Sequence, residues 1–512
     1  MKHHHPHLLT TRWLAGACAL GLTLTAAAQV PNRLSFDGQQ VFVKGVNLPW
    51  YNYGDFGNHY QWGNMYNSGE MEIRLSAIAA KSFNTVRIWV YADGRTSPEW
   101  SAGGAGGSPT GHDTQFFANM DDFLQRCSNK NLYVILSLWD HYMLNNVTSA
   151  GQYAGHHEQV ITDSAKRAAW MNNVLGPLVD RYKNHARVLS WEVYNEPEWN
   201  CSNLPGGGGT TYMVTTSQMQ QFIAEMNVKV HSYNPKGLVS IGSSSLKWSS
   251  PNTDGGNPWS DANLMSKVGN DTRARLDFIN VHYYDWMNPW FTPWSQTPAQ
   301  WGLTKPCVVT ESQGNSSLFN AVAQRDGIAS KGHAGICYWS YWGGDGFGAW
   351  ANFQNVFVGW NPPGSPPPPV TIYADALASD WANWSWSSTV TFNETTIKKN
   401  GTASTKVTAN AGWSALSLRK GTALTTSGYS KITFWVHGGT SGGNKSIKVY
   451  VSTLDSGGDT PGKIITATLN AWTAITVNLS EIGNPSSIKR LNFQNNSATS
   501  QPAVYFDDIK LE

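Results

Sequence analysis

Two glutamates carry the chemistry legible in this sequence. Glu196 ends the run Val188-Leu-Ser-Trp-Glu-Val-Tyr-Asn-Glu-Pro197, and Glu311 ends Pro306-Cys-Val-Val-Thr-Glu-Ser312. Each closes a short apolar run of the kind expected of a buried strand. The two are far apart in the chain, so only a fold that gathers strand ends can bring them together. Facing carboxyl groups, one protonated to donate to a leaving oxygen and one ionised to attack, are the minimum equipment for breaking a glycosidic bond.

The elements needed to position them are present. Strand-like runs occupy residues 41–47, 85–91, 132–139, 188–195, 238–242, 278–283, 307–311 and 335–340. Helical patterns fill gaps between them at 70–81, 115–129, 163–182, 217–232 and 318–331, with a poorly marked last segment at 349–360. Eight strands apolar on both faces and separated by helices imply a parallel sheet covered all round. Closed on itself, that sheet is an α/β (β/α)8 TIM barrel. An open doubly wound sheet is the rival, but no Gly-rich phosphate turn follows the first strand.

In such a barrel the functional side chains cluster at the C-terminal ends of the strands. Those ends read Asn47, Arg87, His141, Asn195 with Glu196, His282 with Tyr284, Glu311, and Trp339. A guanidinium beside Glu311 would keep it ionised, and the Tyr284 hydroxyl could orient it. Glu196 needs the opposite, a carboxyl raised by burial and by a neighbouring negative charge. Glu192 points the same way along its strand as Glu196, deeper in the barrel, as a structural partner. Glu198 is expected to be a loop residue.

This set resembles clan A of the glycoside hydrolases, and family 5 most closely, over residues 35–361. Asn195-Glu196-Pro197 is similar to the clan's strand-four acid/base motif, and Glu311 to its strand-seven nucleophile. Arg87 is similar to the arginine of strand two, His141 to the histidine after strand three, His282-Tyr-Tyr284 to the strand-six motif and Trp339 to the strand-eight aromatic. The resemblance implies retention of anomeric configuration with the carboxyl groups about 5–5.5 Å apart, and no cofactor for catalysis. Asn195 would bind the 2-hydroxyl of the reacting sugar.

Composition agrees with a neutral, hydroxyl-rich ligand. The chain has 512 residues, a formal charge of only +2, 25 Trp and 20 Tyr. Nothing in that balance suggests a nucleic acid or membrane partner, and the oligomeric default is a monomer. Flat rings suit the apolar faces of sugars. Trp50, Tyr51, Trp62, Trp139, Trp199, Trp286, Trp339 and Trp342 are candidate platforms along a cleft that binds a chain.

Residues 1–28 read as a signal peptide: a basic, His-rich start, an apolar stretch and Ala26-Ala-Ala28. The protein is therefore expected to be secreted, extracellular or periplasmic in a bacterium. The catalytic barrel spans 29–361, a Pro-rich linker 362–369, and an all-β, jelly-roll-like sandwich 370–512. The last resembles β-sandwich carbohydrate-binding modules, down to the terminal Tyr505-Phe-Asp-Asp-Ile-Lys-Leu511. Trp381, Trp384, Trp386 and Trp413 are its candidate sugar-binding rings. Asp375 with Asp507 or Asp508 could ligate a structural calcium. Cys127, Cys201, Cys307 and Cys337 allow three pairings; Cys307 and Cys337, on neighbouring strands, are expected to be free buried thiols rather than bridged, and the spacing does not suggest zinc.

These observations imply a secreted, retaining endo-β-1,4-glycanase acting on cellulose-like β-glucan or β-mannan. The alternatives are a hydrolase or transglycosylase on β-1,3 or mixed-linkage glucans, and a polysaccharide-binding protein without activity.

Overall fold

The computed structural model describes residues 30–51, 56–59, 63–101, 106–146, 155–364, 367 and 369–512. The expected signal peptide and Trp62 lie outside these residues. Two compact units divide the chain, Met1–Trp360 and Asn361–Glu512.

In the first unit eight parallel strands close into a barrel in chain order. They are β1 Val43–Asn47, β2 Thr85–Trp89, β3 Tyr133–Ser137, β4 Val188–Asn195, β5 Leu238–Ser243, β6 Ile279–Tyr283, β7 Cys307–Gln313 and β8 Gly335–Trp339. Strand β4 is buried along its whole length, as a strand must be when side chains cover both faces. Side-chain caps set where helices start. Asn67 accepts from Glu70 N at the head of α1, Ser68–Ala80, and Asp113 accepts from Gln115 N and Phe116 N at the head of α2, Thr114–Asn129. Between β3 and β4 the helical stretch 164–182 contains a π-turn at Trp170–Leu175. Helix α3, Thr216–Tyr233, opens with a capping box of Thr215 and Gln218.

The later barrel units are less regular. Between β6 and β7 there are only short 3-10 turns, Asp285–Met287 and Pro293–Ser295. Pro289, Pro293 and Pro298 interrupt that segment and forbid a continuous helix. After β8 the helix is one turn, Trp350–Phe353.

The barrel interior is layered. A hairpin of Leu34–Phe36 and Gln39–Val41 contributes Leu34 and Val41 to the same buried apolar cluster as Val43, Ile135, Leu189 and Val308. That cluster fills the end where the strands begin. Toward the C-terminal ends the buried side chains turn polar: Asn47, Arg87, Glu192, Asn280 and Glu311. Chain approach is close here. A Cβ on Gly45 would lie 2.2 Å from Cys337 Sγ, so β1 and β8 fit together only with glycine at that position. All four described cysteines, Cys127, Cys201, Cys307 and Cys337, are free and buried.

The second unit is an antiparallel β-sandwich. Its strands are β9 Val370–Tyr373, β10 Trp381–Asn383, β11 Ser388–Glu394, β12 Ser404–Ala409, β13 Ala415–Thr425, β14 Lys431–His437, β15 Lys445–Ser452, β16 Lys463–Ala467, β17 Trp472–Asn478, β18 Ser487–Asn495 and β19 Gln501–Leu511. One sheet has the order β10-β13-β18-β15-β16. The other runs β11-β12-β19-β14-β17, with β9 also on β19. Alternation sends Leu416, Leu418, Leu491 and Phe493 from one sheet against Ile432, Phe434, Val504 and Phe506 from the other. Among the described residues no helix is long and apolar enough to cross a membrane.

Candidate active site

Arg87, rising from β2, organises the C-terminal end of the barrel. All five of its N–H directions are used. Nε and Nη2 hold Glu192 at 2.7 and 2.5 Å, Nη2 also reaches Asn195 Oδ1 at 2.5 Å, and Nη1 reaches Asn47 Oδ1 at 2.9 Å and Glu311 Oε1 at 2.6 Å. One buried guanidinium thus ties together the ends of β1, β2, β4 and β7. A rigid fork of donors does this where a lysine could not. The Tyr284 hydroxyl donates to the other oxygen of Glu311 at 2.6 Å.

Glu196 sits in a different setting. It follows β4 with φ 53° and ψ 55°, in the left-handed region, and leads into a 3-10 turn, Pro197–Asn200. His282 Nδ1 shares a hydrogen bond with Glu196 Oε1 at 2.8 Å, and Trp199 Nε1 donates to Oε2 at 3.0 Å. His141 Nδ1 lies 3.5 Å from the same Oε2. Carboxylate oxygens of Glu196 and Glu311 and a ring nitrogen of His282 all lie within 4.8 Å of one another. The two carboxyl groups face each other across one gap.

Their environments separate their protonation. Burial pushes Glu196 up to about 7, and the charges of Asp140 and Glu198 add to the rise while His141 opposes it. Burial raises Glu311 too, but His282, Arg87 and the Tyr284 hydroxyl pull it back. Glu311 has two short, direct hydrogen bonds, one from a guanidinium, so a proton shared by the pair resides on Glu196. His282 is held neutral, its value lowered by burial to about 4.

The carboxylates line a cleft of about 360 Å³ with Trp50, Trp89, Asp140, His141, Tyr142, Asn195, Trp199, Tyr284, Trp286, Trp339, Asp345 and Phe347. Asp140 accepts from Trp89 Nε1 at 2.6 Å and from Asn195 Nδ2 at 2.8 Å, which fixes the Asn195 amide. Trp339 donates its indole N–H to Asp345 and meets Trp89 edge-on. The arrangement can donate a proton, attack a carbon and stack against sugar rings.

A family model described as cellulase, glycosyl hydrolase family 5, matches residues 35–345, more than half of the chain. The chain belongs to glycosyl hydrolase family 5. Within that family it resembles the mannan endo-1,4-beta-mannosidase of Mytilus edulis, with 25% identity over 335 residues covering 60% of this chain and 85% of that protein. A second relative, the mannan endo-1,4-beta-mannosidase of Cryptopygus antarcticus, is 26% identical over 272 residues, covering 50% of this chain and 67% of that one. The crystal structure of an endo-1,4-beta-mannanase from Eisenia fetida superposes with a TM-score of 0.57 at 25% identity, covering 64% of this chain and 94% of that chain. Residues 372–512 match an expansin-like protein C-terminal domain, a β-rich domain of carbohydrate-binding type.

This family 5 glycoside hydrolase departs from the sequence expectations at several aromatics. Trp139 is fully buried against Trp170 and Phe222 and serves the core, not the cleft. Trp342 is absent from the cleft lining. It stacks on Tyr51, with the Arg74 guanidinium 3.5 Å from its ring centre. In the sandwich Trp381 is 7% exposed and packs inside. Trp384 and Trp413 are 43% and 52% exposed. The chain beyond β10 continues to pair with β13, through Trp384 N to Ser417 O and Trp386 N to Ala415 O, so Trp384 and Trp386 share one face.

Two acidic expectations also change. Glu198 lies in the turn after β4, but it is 0% exposed. The calcium aspartates face hydrogen-bond donors. Asp375 Oδ1 accepts from Thr402 N and Ala403 N, Asp507 Oδ2 from Lys399 N and Asn400 N, and Asp508 Oδ2 from the Asn400 amide. N–H groups aimed at these oxygens cap the loop 399–403, and the three aspartates form no three-ligand group among the described residues. Among the described residues the one group of three metal-ligand side chains is Glu196, His282 and Glu311, which the facing carboxyl groups explain.

Asp140, Trp89, Asp345 and Phe347 are functional-site residues that strand-end reading missed. Asp140 stands between Trp139 and His141 and was legible as a strand-end carboxylate. Asp345 and Phe347 lie on the loop after β8, where no periodicity marks position.

Proposed function

We propose that this family 5 enzyme is a secreted, retaining endo-β-1,4-mannanase. The observation that carries the mechanism is the approach of Glu196 and Glu311, with carboxylate oxygens within 4.8 Å. Inverting enzymes need about 6.5–9.5 Å to admit a water between the carboxyl groups, while retaining enzymes need only about 5–5.5 Å. Glu311 attacks the anomeric carbon as Glu196 passes its proton to the departing glycosidic oxygen, leaving a glycosyl ester on Glu311. Glu196 then takes a proton from water, whose oxygen displaces Glu311 and restores it as a carboxylate. Arg87 and Tyr284 hold Glu311 in line. Asn195, its amide oriented by Asp140 and Arg87, keeps one N–H for the 2-hydroxyl of the reacting sugar.

The mannan substrate is supported by the endo-1,4-beta-mannosidases the chain resembles. An open cleft walled by Trp50, Trp199, Trp286 and Trp339 suits internal attack on a chain. Cellulose-like glucan is the second reading, favoured by the cellulase description of the family model. Export is supported by the composition of residues 1–28. In the distal module Trp384, Trp386 and Trp413 are the rings placed to grip a polysaccharide, which would raise the effective concentration of the enzyme at its substrate.

Reducing-end release on β-1,4-mannan, glucomannan, cellulose derivatives, β-1,3-glucan and mixed-linkage glucan tests this function, with Glu311→Ala as control. Preferential release from mannan supports it. Preference for a glucan replaces the substrate, sugar-to-sugar transfer at high acceptor concentration identifies a transglycosylase, and binding without release identifies a non-catalytic binding protein.

A further inference from the structure

Glu198 is a buried carboxylate with no cation. It is fully enclosed, and among the described residues no Lys, Arg or His pairs with it. Four donors satisfy it instead. Ser243 Oγ and Trp259 Nε1 reach Oε1, each at 2.6 Å, and Ser244 N and Oγ reach Oε2, each at 3.1 Å. Ser243 ends β5, Ser244 follows it, and Trp259 comes from the loop before the short helix Asp261–Ser266. The side chain therefore fastens the turn after β4 to the end of β5 and to a third segment.

What that turn carries is the acid/base group and its donor. Glu196 precedes it, and Trp199 within it donates to Glu196 Oε2. The main chain of Glu198 is fastened as well, its carbonyl accepting from Cys201 N and Gly208 N. A buried anion is costly to maintain unless it does something an apolar side chain could not. Here it does two things. It fixes the turn through acceptors that face four donors at once, and it places a second negative charge beside Glu196.

We propose that Glu198 is the positioning residue of the acid/base: its four-donor anchorage locks the turn that aims Glu196 and Trp199, with a buried negative charge at the foot of that turn. The inference rests on Glu196 being the acid/base. The other charged and titratable groups facing Glu196 are His141, His282, Arg87, Asp140, Glu311 and Tyr284. Of these, Arg87 and His141 favour the ionised form and Asp140 disfavours it alongside Glu198.

The test is the pH dependence of kcat/KM on β-mannan for the full chain and its Glu198→Gln variant. Gln fills the same space but carries no charge and cannot accept from four donors. The alkaline limb is expected to move down by roughly half to one pH unit, with kcat reduced about tenfold and KM little changed. An unmoved limb and an unchanged kcat would overturn the proposal, since a merely structural residue would alter melting alone. Should Glu198→Gln fail to melt cooperatively, Ser243→Ala carries the test, because it removes one donor and keeps the charge. It should lower kcat with the limb in place, and a wild-type kcat there would equally overturn the proposal. Glu196→Gln separates the two levels. If it leaves activity and the limb intact, the acid/base assignment itself fails; if it abolishes the limb while Glu198→Gln leaves it unmoved, only the role of Glu198 fails.

Discussion

Glu192 and Arg87 form a two-pronged ion pair, 2.7 and 2.5 Å long and fully buried, directly beneath the catalytic cleft. Asn280 Nδ2 adds a hydrogen bond to Glu192 Oε2 at 2.7 Å. The pair spends one prong of Arg87 on structure and leaves the other for Glu311. Removing Glu192 leaves Glu311 paired with Arg87 but takes the acceptor from Nε and from one Nη2 hydrogen, and a buried donor left unsatisfied costs about 1–3 kcal/mol. Glu192→Ala should lower the melting temperature by several degrees and depress kcat together, as thermal melts and steady-state kinetics would show. Unchanged melting would mean that Arg87 finds another partner.

A single methyl group can probe the same hub from outside. A Cβ on Gly242 would sit 3.0 Å from Arg87 Nη2, 3.0 Å from Asn195 Oδ1 and 3.0 Å from Glu192 Oε1. These atoms are held by one another and have little room to give. Gly242→Ala should reduce kcat roughly tenfold or more, about 1.4 kcal/mol of transition-state stabilisation, while leaving the secondary structure seen by circular dichroism intact.

The pH behaviour follows from the two carboxyl groups. Glu196 must be protonated, so kcat/KM should fall as pH rises through about 7. Glu311 must be ionised, and its raised value places the acidic limb above the ordinary carboxylate range. The two limbs belong to the coupled pair. A bell-shaped profile measured on β-mannan checks this, and a flat profile up to pH 9 would contradict it.

Stability should show the same group with the opposite consequence. The folded state keeps a proton on Glu196 that the unfolded chain releases above about 4.5, so this group costs stability as pH rises from there to about 7. Glu196→Gln should therefore raise the melting temperature at pH 8 and change it little at pH 4.

Much of this was legible before the fold was known. Arg87, Asn195-Glu196-Pro197 and Glu311 lie on or just after β2, β4 and β7 because β-strands in a closed barrel leave little choice of where a chain of that pattern can put them. Depth along the strand placed Glu192 under Glu196 for the same reason. What could not be read depends on contacts made by distant segments. Glu198 is enclosed only because Ser243, Ser244 and Trp259 close over it, and nothing local to Glu198 announces them. Trp139 and Trp381 face inward and Trp384 outward by the register of their neighbours, which ring count does not reveal. Trp342 finds Tyr51 and Arg74 from opposite ends of the barrel sequence, so its absence from the cleft was invisible.

The distal aspartates make a separate prediction. Since Asp375 and Asp507 face backbone N–H groups, chelation should leave the module untouched. Melting of the full chain with and without excess EDTA should coincide; a lower-temperature transition in EDTA would restore a calcium site to residues 375, 507 and 508.

In the proposed reaction Glu311 becomes covalently bound to the sugar while Glu196 handles the proton. Incubation with an activated 2-deoxy-2-fluoro-β-mannoside, followed by peptide mass spectrometry, would trap that glycosyl ester. One added fluorosugar per chain is expected, located on the peptide carrying Glu311 and missing in Glu311→Ala. A label on any other residue, or steady turnover with an initial α-configured product and no adduct, would contradict it.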